Sequence, residues 1–216
     1  MAGFVEFFYN IIPGALFILA LLTTRGIEKL VPWTIKHALT DNDLLSGSAF
    51  VILSLFLGFT LQMVNKLIII QDRWSKENIE RIITDNKTRA DFEKAKDRLR
   101  ILVGENKDKD ENFRFFYFID NYVWANRHSG LTQLFHAQIS LWANIMTASA
   151  IYIALLLMLS LISYPPILDF NQLQVVLALG VGFSAYCFTK KSIRRFHDTV
   201  IKTFLVVTDK KLREGF

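Results

Sequence analysis

Four stretches of this chain, residues 4–23, 48–70, 139–163 and 173–188, run almost without charge, and no other feature restricts its fold as strongly. A helix rises about 1.5 Å per residue, so about 20 apolar residues cross the hydrocarbon of a bilayer. With 52% apolar residues and a mean hydropathy of +0.30, the 216-residue chain is too oily for an ordinary water-soluble domain. The pattern predicts an all-α integral membrane protein with four transmembrane helices and a helical cytoplasmic module between the second and third spans. The fourth stretch is the shortest, and Lys190 and Lys191 extend its reach by snorkelling toward the headgroups. The first lacks a basic leader and a small-x-small cleavage site and carries Glu6 near its start, so it reads as a retained span and not a signal peptide.

Lysine and arginine counts orient the spans, because loops rich in these residues stay in the cytoplasm. Residues 24–47 hold three and 164–171 none, whereas 71–138 hold thirteen and 189–216 eight. The middle segment also holds twelve acids, which weakens its count as a guide; the tail, with eight bases against three acids, keeps a net charge of +5. Both counts put the termini and the middle segment on the cytoplasmic side, as expected for a bacterial inner membrane. A pI near 9.3 would suggest nucleic acid in a soluble protein. Here much of the excess lies just beyond a span, at Lys190, Lys191, Arg194 and Arg195, where anionic lipid accounts for it and no nucleic-acid partner is expected.

The expected divisions are residues 1–70, holding spans one and two with an outer loop; 71–130, the cytoplasmic module; 131–188, spans three and four; and 189–216, a basic amphipathic tail helix. Pro13 and Gly14 predict a kink or a helix start, with residues 1–10 as a short interfacial helix. The outer loop, with Trp33, is expected to lie partly on the outer leaflet, and YPPILDFN makes spans three and four a hairpin. Span two is expected to run on through QDRWSKENIERII, its apolar face formed by Trp74, Ile79, Ile82 and Ile83. A turn at 85–87 then leads to a helix with Phe92, Ala95, Leu99 and Leu102 on one side, ending at Gly104 before the polar loop GENKDKDEN. FRFFYFIDNYVWANR, stopped near Gly130, is aromatic on nearly every side and has to be covered by other helices, a second subunit or the membrane surface. Phe113, Phe116, Tyr117 and Trp124 are its candidate partner-docking residues. In the tail, Phe196, Val200, Thr203, Phe204 and Val207 share one side.

Polar residues interrupt the third span at helical spacing: His136, Ser140, Asn144 and Thr147 are separated by four, four and three. A matching stripe in the second span is Ser54, Gly58, Gln62 and then Asn65 or Lys66. Amides facing lipid cost several kcal/mol, so both stripes are expected to face protein or water. They would either join helices, at about 1 kcal/mol per interhelical bond, or line a water-filled path formed by several subunits; lipid-headgroup binding is a third use. Ser54 with Gly58 and Gly180 with Ser184 are small-xxx-small pairs that let helix backbones approach. Glu6 and Asn10, one turn apart, would bond neighbouring helices or ring a pore mouth, and Lys66 would snorkel to the inner interface.

Signals for catalysis and cofactors are missing from the sequence. No G-x-S-x-G, phosphate-cradling glycine loop, HExxH or paired intramembrane carboxylate occurs, nor the R-x(4–6)-H of nuclease-type helical domains. The four histidines, at 37, 128, 136 and 197, have no metal-ligand spacing, and lone Cys187 is expected to be a packing residue. Neither enzymatic activity nor a cofactor is expected.

FFYNIIPGALFILALL resembles the start of small multi-pass bacterial membrane proteins found with antiphage defence genes, in which aromatics and a Pro-Gly break precede an aliphatic span. The Kiwa membrane component and the membrane effectors of nucleotide-signalling systems are families of this kind. The resemblance covers about 16 residues and implies either a channel-forming effector triggered by a nucleotide or protein signal, or a membrane sensor that holds a cytosolic effector protein. The first reading makes a homo-oligomeric gated pore with Gln62, Asn65, Ser140, Asn144 and Thr147 nearest the water path. The second makes a scaffold in which the polar stripes only join helices. A small transporter fits least, since the spans lack an intramembrane acid and inverted repeats.

Overall fold

The computed structural model describes residues 2–22, 43–67, 76–77, 79–81, 86–103, 112–125, 130–162 and 172–214, and all of them are helical. The six longer elements are α1 (Ala2–Leu22), α2 (Asp43–Leu67), α3 (Asn86–Val103), α4 (Asn112–Ala125), α5 (Gly130–Ile162) and α6 (Gln172–Glu214). Three helices are long and apolar enough to cross a membrane, over Gly47–Asn65, Thr132–Met158 and Leu173–Asp209; the apolar part of α1, Tyr9–Leu22, is shorter. The last of these ranges covers 37 residues, about 55 Å against about 30 Å of hydrocarbon. Its cluster of Lys190, Lys191, Arg194 and Arg195 confines the part suited to lipid to the residues before Lys190.

The chain divides into two compact units. Residues 1–69 and 137–189 form the first, and residues 70–136 and 190–216 form the second, so α5 and α6 contribute to both. In the first unit, Phe17, Leu61, Ala148, Tyr152 and Leu156 make the buried cluster. Outside it the usual pattern inverts. Ile52, Phe56, Phe59 and Met63 of α2 are between 51% and 69% exposed, at spacings of four, three and four that make them one face. A face so apolar and so open suits lipid and not water.

In the second unit α3, α4 and α6 each bury one apolar face. Phe92, Ala95 and Leu99 of α3, Phe116, Ile119 and Val123 of α4, and Phe196, Val200, Phe204 and Val207 of α6 are buried. Aromatic edges join α4 to α6, with Phe116 and Phe196 centroids 6.2 Å apart and Tyr122 and Phe204 5.2 Å apart. Arg98 ties α3 to the end of α6: Nη1 donates to the Leu205 carbonyl at 3.0 Å and to Thr208 Oγ1 at 3.3 Å, while Nη2 pairs with Asp209. Lys96, itself buried, lies over the rings of Phe92 and Phe115 at 5.4 and 5.1 Å, within cation–π range.

Three sequence expectations change. Pro13 lies inside α1, which runs unbroken from Ala2 to Leu22, so residues 2–10 belong to the same helix as the apolar stretch. One missing donor does not end a helix packed against a neighbour. Gly130 opens α5 instead of stopping α4, which ends at Ala125. The tail is the continuation of the fourth apolar stretch in one 43-residue helix and not a separate element. The outer loop with Trp33 and His37, the join between α2 and residues 71–75, the loop 104–111, His128 and the turn 163–171 lie outside the described residues, as do the side chains of Glu6, Lys66, Ile82, Ile83 and Phe113.

Candidate functional site

In the first unit α1 and α2 approach as closely as backbones allow. Where Gly14 would carry a Cβ lies the Ser54 carbonyl oxygen, and where Gly58 would carry one lies the Asn10 carbonyl oxygen. A glycine Cα–H aimed at a carbonyl makes a weak hydrogen bond that recurs at such crossings. The Ser54–Gly58 pair is thus packed on Asn10 and Gly14, and Asn10 and Ser54 are buried. The Ser54 hydroxyl, fully enclosed, has no partner.

Eleven residues beyond Ser54, α2 meets α5. Asn65 Nδ2 donates to Asn144 Oδ1 at 3.5 Å, the outer limit of such a bond. Both side chains are buried, at 3% and 0% exposure, which leaves Asn65 Oδ1 and Asn144 Nδ2 without partners. Each such group costs about 1–3 kcal/mol. The neighbouring hydroxyls spend themselves locally: Thr147 Oγ1 donates to the Ala143 carbonyl at 3.0 Å and Ser149 Oγ to the Ile145 carbonyl at 2.9 Å.

Of the two polar stripes, then, the fold brings Asn65 and Asn144 together and buries Ser54 and Thr147 apart from them. Gln62 and Ser140 are half-buried. His136 is exposed, belongs to the second unit and stands edge-on to Phe196 at 6.2 Å. Gly180 and Ser184 are exposed, and a Cβ on Gly180 would meet nothing within 4 Å. The glycine of α6 that packs is Gly182, whose Cβ would stand 3.2 Å from that of Ser149. Cys187, expected to pack, is exposed instead.

Two apolar grooves open between α1, α5 and α6. One, of about 270 Å³, is lined by Leu16, Phe17, Ala148, Tyr152 and Gln174 among others; its neighbour, of about 430 Å³, reaches Trp142, Gly180 and Ser184. They share Leu16, Ile145, Leu177 and Val181.

In the second unit the proposed docking residues part company. Phe116 is buried, whereas Tyr117 is 58% and Trp124 42% exposed, joined by Phe118, at 58%. Lys191, Arg194 and Arg195 are exposed and Lys190 is half-buried. Two titratable groups that the sequence did not single out lie in this interior. His197, 1% exposed, packs edge-on to Phe116 at 4.5 Å, and its Nδ1 has no partner; burial lowers its pKa to about 3. Asp120 is raised to about 6 by burial, against the opposing effect of a hydrogen bond from Trp124. No cluster of three histidine, cysteine or acidic side chains suited to a metal occurs among the described residues. The chain matches no protein-family model, no curated protein and no solved structure.

Proposed function

We propose that this chain is a four-span protein of a bacterial inner membrane, with both termini cytoplasmic, that works as a homo-oligomer and couples a cytoplasmic signal to a gated ion-conducting response in antiviral defence. The observation that carries the coupling is that α5 and α6 each supply residues to both compact units without a break in the helix. A nucleotide or protein ligand that binds two arrangements of the second unit unequally would bias both helices in the first. The Asn65–Asn144 contact supports gating in particular. A buried pair with one long bond and two unused groups gains partners when helices part and water enters, whereas an apolar pair would lose from the same motion.

A second reading is a sensor or anchoring scaffold for a cytosolic effector protein. It is favoured by the enclosure of Ser54, Asn65, Asn144 and Thr147 within a single chain, which is what polar residues that join helices require. Planar-bilayer recording of the purified full chain, with detergent-solubilised mass measured in parallel, separates the readings. Gating predicts discrete conductance steps that disappear in the Asn65→Leu/Asn144→Leu double variant while the assembled mass is unchanged. Silence of the wild-type protein before and after addition of a mixture of cyclic nucleotides supports the scaffold.

A further inference from the structure

The face of α4 that is left open in the second unit has a chemistry of its own. Arg114, Tyr117, Phe118, Asn121 and Trp124 recur at three- and four-residue steps and are all exposed, opposite the buried Phe116, Ile119 and Val123. Asp120 is the only acid of α4, and it is drawn inward, half-buried and accepting a hydrogen bond from Trp124. The open face therefore presents three aromatic rings, a cation and an amide, with no negative charge. The same unit exposes Lys191, Arg194 and Arg195 on α6. Tyrosine and tryptophan, with apolar bodies and polar tips, concentrate at the headgroup level of bilayers, and aromatic residues flanked by cations are the composition of helices that lie in that plane.

We propose that this face of α4 docks on the surface of an anionic bilayer, with the Tyr117, Phe118 and Trp124 rings among the headgroups and Arg114 on lipid phosphate. Two features of the chain select lipid over a protein partner as the occupant. The unit is joined through α5 and α6 to the helices that suit hydrocarbon, so a bilayer is always within reach at high effective concentration. The one charge on the open face itself is Arg114, a cation that suits the phosphate of acidic lipid. The inference is independent of the gating reading and stands whether or not the assembly conducts. If both hold, lipid composition biases the arrangement of the second unit and so the response.

The test uses the full chain in nanodiscs with Cys187→Ala and one new thiol, at exposed Asn121→Cys or, as a solvent control, at exposed Lys94→Cys, each carrying an NBD fluorophore. In discs of phosphatidylcholine with phosphatidylglycerol, the Asn121 probe should be quenched by headgroup-level spin-labelled lipid, as a helix lying about 5–10 Å into the interface would be, and the Lys94 probe should not. The Asn121 probe should also be reduced by aqueous dithionite severalfold more slowly than the Lys94 probe, and the protection should weaken when phosphatidylglycerol is omitted. Equal reduction rates at the two positions overturn the proposal. Protection without lipid quenching overturns it as well, because protein, a second copy or a partner, then covers the face.

Discussion

Two glycine-to-alanine substitutions of identical chemistry should have opposite consequences, because the fold gives one no room and the other open space. At Gly58 the added methyl would fall on the Asn10 backbone, touching its carbonyl oxygen, carbonyl carbon and Cα, and backbone atoms cannot swing aside as a side chain can. The helices would have to separate, an overpacking cost of about 1–3 kcal/mol. Gly14→Ala meets the Ser54 carbonyl and the Gly58 nitrogen and belongs to the same class. At Gly180 the methyl meets nothing within 4 Å. Alanine is the better helix former by about 1 kcal/mol at either position, so this gain cancels in the comparison and the difference is the overpacking alone. Gly58→Ala should thus fall below Gly180→Ala by about 1–3 kcal/mol, on the order of 5- to 150-fold in the folded-to-unfolded ratio. Thermal unfolding in a mild detergent, followed by size-exclusion fluorescence, ranks the variants. Gly14→Ala and Gly58→Ala should melt below wild type and Gly180→Ala at or above it. Equal midpoints for the three would refute the close α1–α2 crossing.

Replacing Asn65 or Asn144 singly by leucine strands the other amide and should cost about 1–3 kcal/mol, while the double replacement should be close to neutral; a double-mutant cycle in detergent reads the coupling, and additive losses would contradict the pairing. Arg98→Ala removes two hydrogen bonds and the Asp209 pair, worth together about 1–2 kcal/mol on this partly exposed site, and should speed hydrogen exchange at residues 205–214 before any other part of α6. His197, with its folded pKa lowered to about 3, contributes stability that is complete above its unfolded value near 6.5 and is lost as pH falls; at pH 5 the loss is about 2 kcal/mol. Asp120, raised to about 6, acts in the opposite sense: its contribution is complete below its ordinary value of 3.8 and is lost as pH rises through 6. The two partly offset each other between pH 7 and 5, so Asp120→Asn should steepen the fall in melting temperature over that interval, and an unchanged slope would show that Asp120 is not buried in the folded unit.

How much of this could be read from residues alone depended on which physical signal each feature leaves. The helix at Asn86–Val103 has charges on one side and Phe92, Ala95 and Leu99 on the other, so water had already marked its buried face. The charge from Lys190 to Arg195 suggests a boundary between an apolar span and a tail, and yet α6 runs through it. A helix is broken by glycine or proline and not by charge, and none occurs from Phe183 to Glu214; that silence was the available signal. Asp120 and His197 left none, because burial of a lone titratable group is decided by which helices pack around it.

For helices suited to lipid the ordinary guide to the interior fails, and the glycines of α6 show why. Gly180 and Gly182 are two residues apart, on nearly opposite sides of a helix that is apolar all round, so hydrophobic periodicity cannot say which one meets a neighbour. The fold chooses Gly182, against Ser149. A solvent of lipid would make apolar residues such as the exposed Phe56 and Met63 at home on the outside, and the polar side chains would become the ones that need shelter. Ser54, Asn65, Asn144 and Thr147 are all buried. Shelter and satisfaction are different things, however. Thr147 closes its own hydrogen bond within α5, while Ser54 Oγ, Asn65 Oδ1 and Asn144 Nδ2 are enclosed and unpartnered, and apolar residues of similar size would hold the helices together without that cost. The cost is a reason to look for a second arrangement of α2 and α5 in which these three atoms are hydrated, and it is there that a membrane response driven from the second unit would act.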